Sequence, residues 1–311
     1  MELSKYKFLG GAAVFFAAIL WSLDSLLRTT LFALPPLTIV FAEHAIGTAI
    51  AIPILLILRK KLKPLTRKQK MAILTVGALS GVVGTLLFTA ALLKVNFDNF
   101  SVVILLQQLQ PIFAISAAAV LLKEKMNLRF IGLAALAVFG AFLLNFPELK
   151  VNFDYGNATT MAGIMAVGAA AAWGSSTALS KYSLKGTFWG QITALRFGIA
   201  TIISGLGLLL FPSTNGLGQL QFVQIQALSL IAVSTGFVAV GIYYFGLQRI
   251  RASRATILEL AFPMTAVFIG YFKFNNMLSW TQIVGALIVT AVSFYIIRNE
   301  AKLSGKQITK K

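Results

Sequence analysis

The chain has 311 residues, of which 58% are hydrophobic and 12% charged, with a mean hydropathy of +0.84. A soluble domain is about half apolar and about a quarter charged, so this chain cannot hide its apolar side chains by folding alone and must count lipid among its solvents. The lack of cysteine excludes a disulfide framework, a thiolate nucleophile and thiolate metal sites, and one histidine, His44, excludes a histidine-rich metal centre.

In chain order, ten continuous apolar runs lie at about 8–28, 35–58, 71–93, 99–122, 130–146, 161–180, 188–211, 225–248, 253–272 and 279–297. Each is near the roughly 20 residues that a helix needs to cross a hydrocarbon core. A strand barrel would instead alternate apolar and polar with period two. The expected fold is therefore an all-α integral membrane protein with ten transmembrane helices. The first run, from Phe8, leads into Trp21-Ser22-Leu23-Asp24 with no small-residue cleavage site, so it reads as a retained helix.

The net charge of +18 falls in short basic clusters between the runs. That is the pattern of loops at an anionic membrane face, and it argues for membrane lipid and against nucleic acid as the partner. With the N-terminus placed in the cytoplasm, 22 of the 27 Lys and Arg fall on the inner side, four on the outer side, and Arg196 within a span. This bias predicts a multi-pass protein of the cell (inner) membrane with both termini cytoplasmic.

An ungapped shift of 152 positions lays Trp21 on Trp173, Gly11 on Gly163, Ser101 on Ser253 and Pro111 on Pro263. The chain thus divides into two five-helix repeats, residues 1–150 and 151–311, the second ending in a short basic tail. Five is odd, so the halves run in opposite directions, as inverted repeats do in many carriers, with a site between them near the midplane.

The stretches Leu20–Ser22 and Ala172–Ser175, Ala-Leu-Arg-Phe at 194–197, the Pro-bearing helices around Pro111 and Pro263, and Lys-Glu-Lys-Met-Asn-Leu-Arg at 123–129 resemble those of the drug/metabolite transporter superfamily, specifically its ten-helix EamA-type members. The resemblance covers nearly the whole chain. It implies carrier transport of amino acids, other metabolites or toxic compounds, with export the common direction. Three places depart from the pattern. Glu43-His44 stands opposite Leu195-Arg196, Asn276 opposite Glu124, and Glu259 opposite Gln107.

Charged groups within hydrocarbon cost several kcal/mol and are rarely idle. The candidates are Asp24, Glu43, Arg196 and Glu259, with His44 able to titrate. Asp24 and Arg28, four apart, make either a helix-end ion pair or part of a pore. Trp21 shares a face with Asp24, an aromatic plane beside a carboxylate that suits an amine. Glu43 and His44 are about 100° apart on a helix, so they cannot point the same way. Glu43 is a candidate proton-coupling acid. His44 either titrates or bonds a backbone carbonyl between packed helices.

Glu259 lies four residues before Pro263, as Gln107 does before Pro111. Proline removes a donor and frees a carbonyl one turn earlier. Gln107 and Gln110 share a face that should turn inward, either toward a solute or as interhelical glue. Arg196 pairs with Glu259 or Glu43, holds a substrate carboxylate, or braces the helices. Ser175, Ser176 and Thr177 follow Trp173 and offer hydroxyls. Tyr243 and Tyr244 are adjacent, so one of them faces the cavity.

No phosphate loop, catalytic triad or metal cluster is present in the sequence, so no cofactor, no metal and no enzymatic activity are expected. The reading is a secondary carrier of small organic solutes, cationic or zwitterionic by the excess of acids, acting by alternating access as a monomer or homodimer. A channel-like facilitator and a membrane-embedded enzyme are the rival readings.

Overall fold

The computed structural model describes residues 2–31, 33–95, 100–146, 148–149, 157–274 and 278–308. Asn276 lies outside the described residues. Each apolar run falls on a helix. In order these are α1 (Glu2–Ser22, continued past Leu23 by a turn at Asp24–Arg28), α2 (Pro36–Ile57), α3 (Arg67–Lys94), α4 (Phe100–Gln107 and Gln110–Leu121) and α5 (Leu128–Asn145). The second half supplies α6 (Asn157–Ser183), α7 (Trp189–Leu210), α8 (Phe222–Leu247), α9 (Ala252–Leu258 and Ala261–Phe274) and α10 (Trp280–Ile308). No strand occurs among the described residues, and nine of these stretches, all but α1, are long and apolar enough to cross a bilayer. The first of the ten runs expected from the sequence lies on α1, which is not among these nine and whose 21 residues pack on α8, α9 and α10.

Local chemistry explains the helix ends. Thr66 and Gln69 form a capping box at the start of α3, and Asn127 Oδ1 accepts the Phe130 amide at the start of α5, satisfying amides that a helix leaves unpaired. Gly140 and Gly285 let α5 and α10 touch. A Cβ on Gly285 would stand 2.6 Å from the Gly140 carbonyl oxygen. Large apolar side chains such as Leu56, Ile57, Val120, Leu128 and Leu209 stay exposed, which a soluble surface would not favour and a bilayer does.

Cross-half contacts follow a two-fold pattern. α1 packs on α8 and α9 as α6 packs on α3 and α4, while α2 pairs with its repeat counterpart α7 and α5 with α10. The glycine face of α3 meets the other half, Gly77 against Ile199 and Gly84 against Trp173. Wide π-turns interrupt α3 at Gly77–Val83 and α8 at Ala232–Val238. These turns are 155 residues apart rather than 152, and so are the box Thr66/Gln69 and its counterpart Gln221/Gln224. Helices α3 and α8 therefore match with a three-residue shift, which lays Ser80 on Thr235. The ungapped repeat register does not hold there.

The halves also clasp through Glu124. Lys123 adopts a left-handed φ of 54° that turns the chain after α4. Glu124 Oε1 then accepts the Ala252 amide at 2.9 Å, and Oε2 accepts the Ser253 amide at 3.2 Å and the Ser253 hydroxyl at 2.5 Å. A carboxylate from one half thus caps the first turn of α9 in the other.

Candidate functional site: a central cavity between the halves

A cavity of about 850 Å³ lies between the halves, and the candidate side chains singled out from the sequence border it, with the exception of Ser175. They gather into two poles of different chemistry.

The first pole is built on the breaks in α4 and α9. Pro111 and Pro263 cannot continue the preceding ladder, and each helix is interrupted just before its proline. The Glu259 carbonyl is not left free, however. It accepts the Phe262 amide at 2.9 Å, because the chain tightens into a three-residue turn rather than opening. The site at the break is made by side chains. Gln107 Nε2 donates to Gln110 Oε1 at 2.9 Å, Gln110 Nε2 donates to Glu259 Oε2 at 2.6 Å, and the Tyr243 hydroxyl donates to Glu259 Oε1 at 2.7 Å. Thr177 Oγ1 lies 3.3 Å from the Tyr243 hydroxyl, and the Trp21 ring packs on Tyr243 with centroids 5.1 Å apart. Gly174 lets α6 close on this break, since a Cβ there would lie 2.6 Å from the Gln110 carbonyl oxygen. Among the described residues no cation lies within ion-pair distance of Glu259. Ser176, in the same wall, is 2% exposed and its hydroxyl has no hydrogen-bond partner among the described residues.

The second pole is ionic. Arg28 pairs with Asp24 one turn earlier and reaches Glu43 on α2 with both terminal nitrogens, Nη1 to Oε1 at 2.9 Å and Nη2 to Oε2 at 3.1 Å. Thr235, at the π-turn of α8, donates to Asp24 Oδ1 at 2.8 Å. The helix-end pair is therefore also part of the cavity, because α2 brings Glu43 alongside it. Trp21 does not present a free carboxylate to an amine, since Asp24 is held by Arg28 and Thr235. Arg196 pairs with neither Glu259 nor Glu43. Its Nη2 donates to Ser80 Oγ at 2.9 Å, at the π-turn of α3. That turn also leaves the Ser80 carbonyl to accept Trp173 Nε1 at 3.2 Å.

Of two readings drawn from helix geometry, that Glu43 and His44 point in different directions holds, and that only one of Tyr243 and Tyr244 faces the cavity does not. Glu43 and His44 both border the cavity, because it wraps around α2. Glu43 turns to Arg28, whereas His44 bonds the Val40 carbonyl at 2.8 Å and packs on Phe197. Tyr243 and Tyr244 both border it too, the second with its hydroxyl 2.9 Å from Ser180 Oγ. The cavity also takes in Ser80, Gln108, Thr235 and Thr256. The repeat would have disclosed Ser80 and Thr235 had its register been read from the two capping boxes.

This arrangement has carrier geometry: a polar chamber at the seam of two repeats, walled by interrupted helices. The EamA-like transporter family model matches residues 8–146 and again 160–298. The chain belongs to the EamA-like transporter family. Riboflavin transporter ImpX of Fusobacterium nucleatum is 34% identical over 293 residues, covering 90% of this chain and 94% of that one. Uncharacterized transporter YoaV of Bacillus subtilis is 25% identical, covering 82% and 85% of the two chains. Uncharacterized transporter sll1164 of Synechocystis is 26% identical, covering 74% and 66%. A solved crystal structure at 17% identity superposes with a TM-score of 0.74 over 91% of this chain and 94% of its own, a likeness of fold. This EamA-family chain is thus a multi-pass membrane transporter of a small molecule rather than an enzyme.

Proposed function

We propose that the chain is a secondary carrier, working by alternating access, for a neutral, planar heteroaromatic solute, with riboflavin as the first candidate. The observation that carries this is the fate of the charges. Asp24 and Glu43 are occupied by Arg28, so the excess of acids that suggested a cationic solute reduces to Glu259 alone. What remains open to a solute is aromatic surface from Trp21, Tyr243, Phe88 and Trp173, with amides and hydroxyls at its edges. Flat rings stack on such walls, and the cavity volume is that of a site for a drug-sized ligand. The relative named as a riboflavin transporter supports the same class. The chain acts in the cell membrane with both termini in the cytoplasm, a reading that rests on the Lys and Arg bias.

The test is flavin flux in proteoliposomes loaded on either side, which also distinguishes import from the export that family habit favours. Saturable riboflavin flux is expected. Flux of amines or amino acids with none of riboflavin would overturn the proposal. A second reading rests on Glu259, which lacks a cation partner among the described residues. It takes a proton that moves with the solute, or the positive group of a cationic or zwitterionic solute. The proton version requires flux driven by a proton gradient and uncoupled from it in Glu259→Gln.

A further inference from the structure

Buried polar atoms are nearly always hydrogen-bonded, and one without a partner points to something that binds there. Ser176, Thr256 and Gln108 are 2%, 1% and 6% exposed, and their Oγ, Oγ1 and Nε2 atoms find no hydrogen-bond partner among the described residues. All three residues border the cavity. They stand on α6, α9 and the break in α4, three helices that pack against one another at the pole of Glu259 and Tyr243. Around them the other polar groups are engaged: Gln107 with Gln110, Gln110 and Tyr243 with Glu259, and Tyr244 with Ser180.

We infer that Ser176, Thr256 and Gln108 form a subsite for the hydroxyl-bearing chain of the solute, the part that distinguishes riboflavin from its bare ring system. The inference rests on the flavin-carrier proposal above. Its chemistry is complementary. Two protein hydroxyls both donate and accept, the amide nitrogen donates, and each hydroxyl of a polyol does both. Its geometry favours a flexible chain over a ring edge. The three groups come from three separate helices, and a flexible chain can meet them in turn with successive hydroxyls. None of the three carries charge, so a neutral chain is favoured over a phosphorylated one. Two more unpartnered buried hydroxyls, Thr89 and Ser293, lie outside the cavity and supply controls.

The experiment measures equilibrium binding of riboflavin and of lumiflavin, the same ring with a methyl group in place of the ribityl chain, by flavin fluorescence quenching on purified full-length protein. The double variant Ser176→Ala, Thr256→Val should bind riboflavin about tenfold more weakly, the size of the hydrogen bonds lost, and should bind lumiflavin as the wild type does. Ser176→Thr with Thr256→Ser keeps both hydroxyls and should retain riboflavin affinity. Ser293→Ala should alter neither ligand. Equal losses for the two ligands, or no loss for riboflavin, would overturn the subsite while leaving the carrier proposal standing. Wild-type protein that binds neither flavin would overturn both.

Discussion

The two halves of the cavity are built on equivalent positions and have become chemically unlike. Asp24, Arg28 and Glu43 in the first half match Ser176, Ser180 and Leu195 in the second, and His44 matches Arg196. One set is an ionic knot with each charge partnered. The other is a row of hydroxyls on α6 with an apolar residue opposite. On the interrupted helices the imbalance is reversed, since Gln107 is neutral and Glu259 acidic. The lesson is that a repeat conserves where helices break and cross, while the side chains at those breaks are free to diverge. The cavity therefore has a charged end closed by its own ion pairs and a hydroxyl-rich end.

The largest effect should come from untying the knot. Arg28→Ala leaves the buried Glu43 and the half-buried Asp24 without a cation and should cost about 3–5 kcal/mol, read as a lowered unfolding midpoint in detergent. Arg196→Ala on the other half abandons no carboxylate and loses one bond to Ser80, about 1–3 kcal/mol. Similar losses for the two would remove the contrast between the halves. Next, Glu259→Leu strands the donors of Gln110 and Tyr243 and should cost about 1–3 kcal/mol. Gln107→Leu, its repeat counterpart, leaves only the Gln110 carbonyl oxygen without its donor and should cost less in the same assay.

A smaller effect is expected at the clasp. Glu124→Ala removes three hydrogen bonds between the halves and should shift the balance of cavity access rather than abolish folding. Because the chain has no cysteine, a single cysteine at Ser180 reports this directly. Its labelling rate by a water-soluble maleimide in vesicles should change when Glu124 is replaced, and an unchanged rate from both sides would mean that the clasp is only a loop anchor. The smallest change is Thr235→Val, which takes one hydroxyl from Asp24 and should cost about 1 kcal/mol, matched by Ser80→Ala at the equivalent π-turn.

Much of this was legible because lipid makes apolar runs long and polar exceptions conspicuous. The spans could be marked from hydropathy, the repeat from Trp21 and Trp173, and the helix breaks from Pro111 and Pro263. Every intramembrane acid could be named because each is expensive where it lies. The pairing was harder. Asp24 and Arg28 announce themselves by spacing, but Glu43 is fifteen residues further on, across a helix turn, and only tertiary packing brings it to the guanidinium. Likewise 100° between neighbours on a helix separates two directions without saying how far a cavity extends around it, and so Glu43 and His44, or Tyr243 and Tyr244, could not be divided into inward and outward. A π-turn leaves no hydropathy signal, which is why the three-residue shift of α3 against α8 and the meeting of Thr235 with Asp24 stayed hidden.

The most direct test is riboflavin flux through the triple variant Asp24→Asn, Arg28→Met, Glu43→Gln beside the wild type. If the knot is structural and the solute sits at the hydroxyl-rich end, both proteins transport riboflavin saturably with similar KM. A wild type that transports riboflavin and a folded triple variant that does not would put the solute in the ionic pole and contradict the account.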